Sequence, residues 1–362
     1  MKKVLFTATV DSHILHFHIP FLKLFKDKGY EVHVATNGDE KIPYCDKKHV
    51  ISFERSPIKI NNLKAIKQLK KVIEEENFEI IHCHTPMGSV VTRLAARKAR
   101  KNGTRVIYTA HGFHFYKGAP LLNWMLFYPI EKWLSRYTDT LITINDEDYQ
   151  LAKKKFKKTN VEYVPGVGID PKKFDIKMSD KEKDKLRKEI GIKKSDFVMI
   201  YPARLDKNKN HILLINAMNN IIKVDSSVKL LLPGDDELNG FYQEQVKKME
   251  LGNNILFLGY RTDINKLLKI CNLAVSSSLR EGLGLNLVEA LYSGIPIVAT
   301  HNRGHNEIVK NNVNGLYSLN NAEDFSSKIL YIKNNISMFK NLNVDKFLLD
   351  NVINEMIKIY NL

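Results

Sequence analysis

The sequence predicts an α/β protein built from two doubly wound domains, each with a parallel sheet covered by helices. Three observations predict this fold class. Short apolar runs alternate with longer amphipathic segments, the series restarts after a charged stretch, and a length of 362 residues suits two domains better than one. With 44% apolar and 27% charged residues, the composition excludes a disordered chain.

The first series of apolar runs predicts an N-terminal domain over residues 1–170. Its predicted strands lie at residues 4–8, 32–35, 80–84, 106–110 and 141–144. Its predicted helices lie at residues 21–28, 63–76 and 89–101. Strands and helices that alternate at this spacing are typical of a parallel sheet with helices on both faces.

The second series predicts a Rossmann-like C-terminal domain over residues 171–344. Residues 170–196 are rich in lysine and acidic residues, which predicts a connector and a solvated helix. The predicted strands that follow lie at residues 198–203, 228–233, 255–259, 273–277 and 297–300. We expect a cleft between the two domains, and a last helix, residues 345–362, that packs back on the N-terminal domain.

The charge and the cysteines limit the partners and the compartment. A net charge of +16 and a pI near 9.4 predict attraction to anions, which include nucleotides, nucleic acid and anionic bilayers. Cys45, Cys83 and Cys271 lie far apart without a CxxC pair, so a reducing cytosol fits better than a disulfide framework or a thiolate metal site. We find no signal-peptide pattern and no stretch of about 20 apolar residues, and therefore expect a cytoplasmic protein.

The residues directly after the strands are the candidates for chemistry, because open α/β sheets bind ligands at the carboxyl ends of their strands. Neither half has the GxGxxG fingerprint of a dinucleotide site, since residues 7–12 are TATVDS and residues 202–206 are PARLD. An ordinary dinucleotide enzyme is therefore disfavoured.

The most informative segment is EGLGLNLVEA, residues 281–290, which follows a predicted strand and runs into a helix. Gly282 and Gly284 allow a ligand to approach the backbone closely. The N–H groups at the helix start, at Gly284 and Leu285, favour an anion such as a diphosphate.

Two glutamates of this segment, Glu281 and Glu289, lie eight positions apart. Both can point into one cleft and accept hydrogen bonds from neighbouring hydroxyl groups, which is how sugars and riboses are recognised. For either glutamate alone, the alternative is a solvated acid near a helix N-terminus.

Arg204 and Lys209 lie five residues apart after the first strand of the second half. A guanidinium and an ammonium at this place can converge on a diphosphate, neutralise it and stabilise the leaving group as charge develops. We therefore expect these two residues to bind a diphosphate. The alternative is a solvated basic loop.

His111 ends a predicted strand and is followed by Gly112. This position would bring an imidazole to the edge of the cleft, where it could form a hydrogen bond with a bound sugar. A lone histidine is more often a packing residue, and that alternative stays open. His114, three residues further on, is a second candidate.

No metal site is expected from the other histidines. His13, His16 and His18 follow the first strand, but their spacing spreads them around a helix. The triplet His82-Cys83-His84 is a poorer candidate still for a shared site, because its side chains alternate between the faces of a strand.

Acidic residues after two predicted strands are expected to serve helix starts. Asp11 or Ser12 would cap the first helix, and residues 146–148, DED, form an acidic first turn of a helix capped by Asn145. The same triplet has the pattern of a carboxylate site for a divalent metal. Because the arginine–lysine pair can neutralise phosphates, no metal is required.

The basic residues are concentrated in the first half, where residues 1–170 hold 28 Lys and Arg against 18 Asp and Glu. Predicted helices there carry Lys64, Lys67, Lys70, Lys71, Arg93, Arg97, Lys98, Arg100 and Lys101, near an apolar segment with Leu121, Leu122, Trp124, Phe127 and Trp133. Such a face suits attachment to an anionic membrane leaflet. The alternative is a solvated face beside a core helix.

Residues 278–300 resemble the family 4 glycosyltransferases, which are retaining enzymes with two Rossmann-like domains in the GT-B arrangement. EGLGLNLVEA resembles the E-x7-E motif of this family, and SGIPIVAT after it resembles the family's Gly-x-Pro-Val strand. Residues 204–209 have the family's spacing from arginine to lysine, although Ala203 and Asn210 replace two glycines. The resemblance covers nearly the whole chain and includes enzymes of bacterial capsule and exopolysaccharide synthesis.

The resemblance implies a hexosyltransferase that takes a nucleotide-sugar donor, a UDP-hexose or UDP-N-acetylhexosamine, and needs no separate cofactor. It implies that Glu281 and His111 lie near the donor sugar, that Arg204 and Lys209 bind the diphosphate, and that Glu289 binds the ribose. The backbone of residues 259–263 is expected to flank the base. The residues expected there are Gly259 and Arg261, and those expected on the acceptor side are Asp11, Ser12, His13 and His114.

The same resemblance implies an acceptor in surface polysaccharide synthesis, a saccharide linked to a polyprenyl diphosphate. Such an acceptor would bring the enzyme to the inner face of the cell membrane as a peripheral protein. No nucleic-acid partner is expected.

Two other functions stay open at this point. A nucleotide-sugar 2-epimerase shares the two-domain architecture and would form an epimer without any acceptor. A basic protein that binds nucleic acid would do so in a salt-sensitive manner that Glu281→Ala leaves unchanged. No RNA or DNA motif supports the second alternative.

Overall fold

The computed structural model describes residues 1–339 and 342–362, which form two compact units. The N-terminal unit comprises Met1–Val167 together with Asn351–Leu362, and the C-terminal unit comprises Gly168–Asp350. Each unit contains one parallel sheet with helices packed on it. The predicted doubly wound α/β class is therefore confirmed.

The strands are numbered in chain order over the described residues. They are β1 (Lys3–Val10), β2 (Glu31–Asn37), β3 (Lys47–Val50), β4 (Ile80–Cys83), β5 (Arg105–Ala110), β6 (Thr140–Thr143), β7 (Asn160–Tyr163), β8 (Phe197–Ile200), β9 (Val228–Pro233), β10 (Ile255–Gly259), β11 (Leu273–Ser276), β12 (Ile297–Thr300) and β13 (Gly315–Ser318).

The α-helices are numbered in the same way. They are α1 (Asp11–Phe17), α2 (Ile19–Asp27), α3 (Asn61–Glu76), α4 (Pro86–Ala95), α5 (Arg97–Lys101), α6 (Leu121–Leu134), α7 (Asp146–Lys155), α8 (Pro171–Phe174), α9 (Asp180–Ile190), α10 (His211–Ile221), α11 (Phe241–Lys248), α12 (Ile264–Leu268), α13 (Leu285–Tyr292), α14 (Arg303–Asn306), α15 (Ala322–Asn334) and α16 (Leu349–Tyr360).

Every apolar run that was predicted as a strand contains one, whereas β3, β7 and β13 were not predicted. All three missed strands are edge strands of four residues with a single aliphatic side chain each. The apolar pattern is weak in such strands because an edge strand contributes little to the core.

The sheet of the N-terminal unit has the strand order β3-β2-β1-β4-β5-β6-β7. The order reverses at β1, which pairs with β2 on one side and β4 on the other, and such a reversal opens a crevice at the carboxyl ends of the strands. Val4 and Phe6 pack into the core on one face of this sheet and Leu5 into the core on the other. Burial on both faces explains the continuous apolar run.

The sheet of the C-terminal unit has the strand order β10-β9-β8-β11-β12-β13, and all its pairings are parallel. Here the order reverses between β8 and β11, which are neighbours in the sheet. Tyr201 and Ser277 begin the loops after these two strands. The arginine–lysine pair and the EGLGLNLVEA segment therefore start from the same edge.

The last helix, α16, belongs to the N-terminal unit. Val352, Met356 and Tyr360 are buried in the same core as Val4 and Phe6. The Tyr360 hydroxyl lies 2.7 Å from His82 Nδ1, and the Arg105 guanidinium donates hydrogen bonds to the carbonyls of Ile359 and Tyr360 at 2.7 and 2.6 Å. The end of the chain is thus fastened to β4 and β5.

The chain between β1 and β2 forms two helices instead of one. α1 ends at Phe17, and α2 begins at Ile19 with Pro20 in its first turn. The N-cap of α1 is Val10, and no side chain caps this helix. The prediction that Asp11 or Ser12 caps it is therefore wrong.

Candidate functional site

An ion pair between Lys209 and Glu281 joins the loops after β8 and β11. Lys209 Nζ donates a hydrogen bond to Glu281 Oε1 over 2.5 Å, and the two side chains are 21% and 16% exposed. The residues are 72 positions apart in the chain. They meet because the carboxyl ends of neighbouring parallel strands lie at one edge of the sheet.

Glu281 is held in place by a chain of hydroxyl groups. Ser278 Oγ donates to Glu281 Oε1 at 2.5 Å, and the Tyr201 hydroxyl lies 2.6 Å from Ser278 Oγ. Tyr201 and Ser278 are fully buried, and burial raises the pKa of the Tyr201 hydroxyl well above its ordinary value, so that it stays a donor. Within the described residues Glu281 Oε2 makes no hydrogen bond, which leaves it available to a ligand.

Sequence reasoning missed the support that α14 gives to Glu281. His305 is buried, with Nδ1 at 2.6 Å from the Thr300 carbonyl oxygen and Nε2 at 3.1 Å from Ser276 Oγ. A Cβ atom on Gly304 would lie 2.7 Å from Glu281 Cβ, so only glycine fits against the loop. The signal that could have identified these residues is their place directly after the predicted strand at residues 297–300.

Arg204 lies in the same loop as Lys209 but has a different partner. Its Nη1 atom donates to Glu237 Oε1 at 2.6 Å, and the two side chains are 57% and 45% exposed. Arg204 and Lys209, the two residues predicted to bind a diphosphate, are thus each paired with a different glutamate. Because an exposed ion pair contributes only about 0 to 1 kcal/mol, an anionic ligand can replace Glu237 at little cost.

Glu289 lies in the middle of α13, and its environment differs from that of Glu281. Desolvation raises the pKa of the Glu289 carboxyl to about 7, and the charge of Lys173 opposes that rise. The carboxyl makes no hydrogen bond with the described residues. A partly buried carboxyl without partners is a ready acceptor for the hydroxyl groups of a ligand.

The end of β10 and the loop after it hold the residues that are predicted to flank a base. Gly259 has φ +62°, a left-handed conformation that favours glycine, and a Cβ there would meet open space. Its carbonyl oxygen accepts a hydrogen bond from the Gly234 N–H at 2.8 Å. Arg261 makes two hydrogen bonds to Asp263, at 2.8 and 2.6 Å, so its guanidinium is engaged within its own loop.

In the N-terminal unit, His111 follows β5 and packs edge-on against His13, with 4.8 Å between the ring centroids. The prediction that His13, His16 and His18 spread around a single helix is wrong. Because α1 ends at Phe17, the chain turns at His18 and brings its ring within 5.1 Å of His13, whereas His16 is exposed.

The other predicted acceptor-side residues have diverse surroundings. Asp11 is buried and accepts hydrogen bonds from the Thr36 hydroxyl, the Lys48 ammonium and the Glu40 N–H at 2.5, 2.8 and 2.9 Å. A carboxylate held by these three donors fixes the loop after β2. Ser12 is exposed, and the His114 ring packs 4.8 Å from the ring of Phe127.

The acidic triplet at residues 146–148 serves the start of α7, as predicted. Asn145 is the N-cap, and its Oδ1 accepts a hydrogen bond from the Asp148 N–H at 2.8 Å. Asp148 is buried and accepts a further bond from the Phe113 N–H at 3.0 Å. These contacts give the triplet a structural role.

Helix α6 carries an apolar face that is open to solvent. Its exposed apolar side chains are Leu121, Leu122, Met125, Leu126, Ile130 and Trp133. Trp124 and Phe127, which were predicted for the same face, pack instead against the core around Phe115. Within residues 1–339 and 342–362, no helix combines the length and the apolarity needed to cross a bilayer.

One residue of the predicted basic face lies in the interior. Arg93 is 1% exposed, and its guanidinium makes two hydrogen bonds to the Glu131 carboxylate, at 2.9 and 3.2 Å. The assignment of Arg93 to a solvated or membrane-facing surface is therefore wrong. Because a charge is rarely buried without a partner, Glu131 is what allows Arg93 to lie there.

Two family models match the sequence. Residues 3–145 match a family described as "Glycosyl transferase 4-like", and residues 182–343 match "Glycosyl transferases group 1". The chain is 45% identical over 330 residues to "Putative glycosyltransferase EpsD" of Bacillus subtilis (strain 168). This match covers 91% of the chain and 86% of the relative. It is 28% identical over 279 residues to an Escherichia coli enzyme, "UDP-Gal:alpha-D-GlcNAc-diphosphoundecaprenol alpha-1,3-galactosyltransferase", with 75% and 71% coverage.

Solved structures of other proteins have the same fold as this chain. The crystal structure of Anabaena Alr3699/HepE in complex with UDP and glucose superposes with a TM-score of 0.80. The two sequences are 20% identical, and the similarity covers 100% of both chains. The predicted GT-B fold is thereby confirmed.

Proposed function

The chain belongs to the family 4 glycosyltransferases and is a hexosyltransferase; from that premise we propose that it moves a sugar, with retention, from a UDP-sugar to a saccharide linked to a polyprenyl diphosphate. The observation that carries this proposal is the pairing of Lys209 with Glu281 at the carboxyl edge of the C-terminal sheet. The pair sets one cation and one acceptor side by side, where a sugar diphosphate requires both.

The diphosphate is the first element of the donor. Lys209 and Arg204 neutralise it, the former beside Glu281 and the latter after release of Glu237. Each charge-assisted hydrogen bond contributes about 1.5 to 3 kcal/mol. The N–H groups of Gly284 and Leu285 at the start of α13 add fixed donors, since the first N–H groups of a helix have no partner within it.

The nucleoside is the second element of the donor. Glu289 accepts hydrogen bonds from the ribose hydroxyls, and the backbone around Gly259 lies along the base. Two facts support uridine as the base: HepE was crystallised with UDP, and the Escherichia coli relative is named for a UDP-galactose donor. Arg261 fixes the loop beside the base through its hydrogen bonds to Asp263 and does not pair with phosphate.

Catalysis comes from orientation and from stabilisation of the leaving group. Glu281 Oε2 accepts a hydrogen bond from a hydroxyl of the donor sugar, while Ser278 and Lys209 donate hydrogen bonds to Oε1. Gly282 allows the sugar to approach the backbone. As the bond between the anomeric carbon and the diphosphate breaks, negative charge grows on the diphosphate beside Lys209. The acceptor oxygen bonds to the anomeric carbon from the same face, and the departing phosphate takes the proton of that acceptor hydroxyl.

The N-terminal unit supplies the acceptor side. His111 has one buried ring nitrogen, Nε2, and we assign its other nitrogen, Nδ1, to a hydroxyl of the donor sugar. His13, Ser12 and His114 belong to the same end of the sheet and serve the acceptor saccharide. Asp11 acts indirectly, because its carboxylate already holds Thr36, Lys48 and Glu40.

The lipid-linked acceptor explains the exposed face of α6. Leu121, Leu122 and Met125 are more than half exposed, and the basic side chains of Lys132 and Arg136 lie exposed at the far end of the segment. An apolar helix face flanked by cations binds the interface of an anionic leaflet. We therefore assign the enzyme to the inner face of the cell membrane as a peripheral protein. The diphosphoundecaprenol in the name of the Escherichia coli relative supports the same acceptor class.

A donor-hydrolysis screen tests this function. Release of nucleoside diphosphate is measured for UDP-, GDP- and ADP-sugars with the wild type, Lys209→Ala, Glu281→Ala and a matched control, Lys207→Ala, whose exposed ammonium lies in the same loop. We expect turnover of a UDP-sugar by the wild type and the control, and at least about a tenfold loss in the other two variants. Unchanged activity in Lys209→Ala and Glu281→Ala would refute the donor site.

A further inference from the structure

Four histidine side chains converge in the crevice of the N-terminal unit. His13 lies in α1, His18 between α1 and α2, His84 directly after β4, and His111 directly after β5. One ring nitrogen from each of them lies within 4.8 Å of the corresponding nitrogens of the other three. The crevice brings them together because β1, β4 and β5 are consecutive in the sheet.

Within residues 1–339 and 342–362, the buried nitrogens of this cluster have no hydrogen-bond partner. Six buried ring nitrogens are without a hydrogen bond: Nε2 of His13, both nitrogens of His18, both of His84, and Nε2 of His111. The rings of His18 and His84 stack at 3.7 Å between centroids. Buried polar atoms are normally paired, so such a concentration of unpaired ring nitrogens points to a ligand.

The adjacent His82 shows how a structural histidine in the same place is satisfied. Its Nδ1 lies 2.7 Å from the Tyr360 hydroxyl, and its Nε2 lies 2.8 Å from Thr109 Oγ1. A second group of possible ligands, His33, His49 and Glu76, is also already bonded, since the two histidines bond to each other and Glu76 bonds to Lys3. Neither of these arrangements requires a further ligand.

The chemistry of its side chains decides what kind of ligand the cluster can take. All four are imidazoles, and none of the four is a carboxylate or an ammonium group. Imidazole nitrogens offer lone pairs, which are the donors that a metal cation needs.

We propose that His13, His18, His84 and His111 bind one divalent first-row transition-metal ion, with Zn²⁺ as the best fit to four imidazoles. Imidazole nitrogen suits zinc, and four ligands without a carboxylate match its tetrahedral preference. Bonds of about 2.05 Å to one tetrahedral ion hold neighbouring nitrogens roughly 3.4 Å apart. The distances between the four nitrogens, now up to 4.8 Å, would therefore shorten by up to about 1.4 Å on binding.

The cluster is accessible to an ion from solution. His18 and His84 are buried, whereas His13 and His111 are half-buried, so the site opens towards their side. A bound ion would tie the turn between α1 and α2 to the ends of β4 and β5. All four ligands belong to the N-terminal unit, so metal binding is measured without any donor. Two of them also serve the proposed function, His111 through Nδ1 and His13 on the acceptor side.

Metal binding is tested on the full chain without a histidine tag. After removal of metal with a chelator, the protein is titrated with Zn²⁺ in competition with a chromogenic chelator, and separately with Co²⁺. We expect one equivalent of Zn²⁺, the intense visible absorption of four-coordinate Co²⁺, and a rise of the Tm with Zn²⁺ concentration. Absence of a stoichiometric site under these conditions would overturn the proposal.

The ligands are assigned with His18→Phe and His84→Phe, which keep a flat ring in the stack. Each substitution should weaken Zn²⁺ binding at least about 100-fold and abolish the Co²⁺ absorption. The matched control is His211→Phe, because His211 in the C-terminal unit is also buried with both ring nitrogens unpartnered. His13→Gln is a further ligand variant at a half-buried position, for use if a phenylalanine variant fails to fold.

Two results with these variants would contradict the assignment. One is retention of Zn²⁺ affinity in His84→Phe and His13→Gln. The other is loss of affinity in His49→Phe with retention in His84→Phe, which would place the ion at His33, His49 and Glu76.

Discussion

Lys209 Nζ lies 2.5 Å from Glu281 Oε1, so the cation proposed for the diphosphate and the carboxylate proposed for the donor sugar are bonded to each other before any ligand arrives. The pair keeps both side chains in defined positions. The pairing also offsets part of the desolvation cost that each partly buried charge would have alone. Substitution of either residue therefore changes the environment of the other.

Removal of Lys209 should weaken nucleotide binding. Lys209→Ala deletes one charge-assisted hydrogen bond to the diphosphate, worth about 1.5 to 3 kcal/mol, which corresponds to a rise in the Kd of UDP of about 10- to 150-fold. Isothermal titration with UDP measures this change. Lys207→Ala should leave the Kd within about twofold, and an equal loss in both variants would mean that only the overall charge of the loop matters.

Removal of Glu237 should have the opposite effect. Glu237→Gln releases Arg204, whose guanidinium is then free to meet the diphosphate, and it removes a negative charge near the ligand. Because the Arg204–Glu237 pair is exposed, the gain is limited to about 1 kcal/mol, or a fall of the Kd of up to about fivefold. A Kd that rises in this variant would place Arg204 outside the donor site.

Binding of a UDP-sugar should depend on pH through Glu289. Desolvation raises the pKa of this carboxyl to about 7, against the opposing charge of Lys173, so the carboxyl becomes protonated as the pH falls through 7. If the ionised form accepts the ribose hydroxyls, the Kd should rise by about tenfold from pH 8 to pH 6. A UDP-sugar is the suitable probe because its diphosphate has no ionisation near neutrality.

Glu289→Gln provides the comparison for that pH profile. The amide does not titrate, so its Kd should stay flat over the same range while the wild-type Kd changes. A pH profile that is the same in both proteins would assign the titration to another group.

The face of α6 should bind anionic membranes. Leu122→Glu together with Met125→Glu places two charges where two apolar side chains would enter the interface, and each lost side chain costs about 1.5 to 3 kcal/mol of partitioning. Co-sedimentation with phosphatidylglycerol vesicles should fall at least about tenfold. Val224→Glu is the control, because Val224 is at least as exposed as Leu122 and Met125 but lies in the C-terminal unit, so this change should not alter sedimentation.

The buried pair of Arg93 and Glu131 should be important for stability. Glu131→Gln leaves the Arg93 guanidinium in the interior without a counter-charge, which costs about 3 to 5 kcal/mol. Urea unfolding followed by fluorescence should show the lower free energy of unfolding. Glu75→Gln breaks the exposed pair of Lys71 and Glu75, and its effect should stay below about 1 kcal/mol. Equal effects would mean that burial of the pair has no energetic role.

Much of the proposed donor site follows from local sequence, because a ligand site at the end of a parallel strand uses residues that follow an apolar run. Lys209, Glu281 and Glu289 are recognisable on that basis. Their partners are not: Ser278 and Tyr201 fix Glu281 through hydroxyl groups that look ordinary in the sequence. His305 reaches the site only because β12 lies next to β11 in the sheet.

The sequence by itself determined the two α/β units, their strands and the loops that carry the charged residues, because apolar periodicity and turn residues are local properties of the chain. Tertiary structure alone decided which of these residues meet. The contact of His18 with His84 and the burial of Arg93 against Glu131 both join residues that are distant in sequence. The physical reason is that hydrogen bonds, ion pairs and desolvation act over a few ångströms of space, and only the folded chain sets those distances.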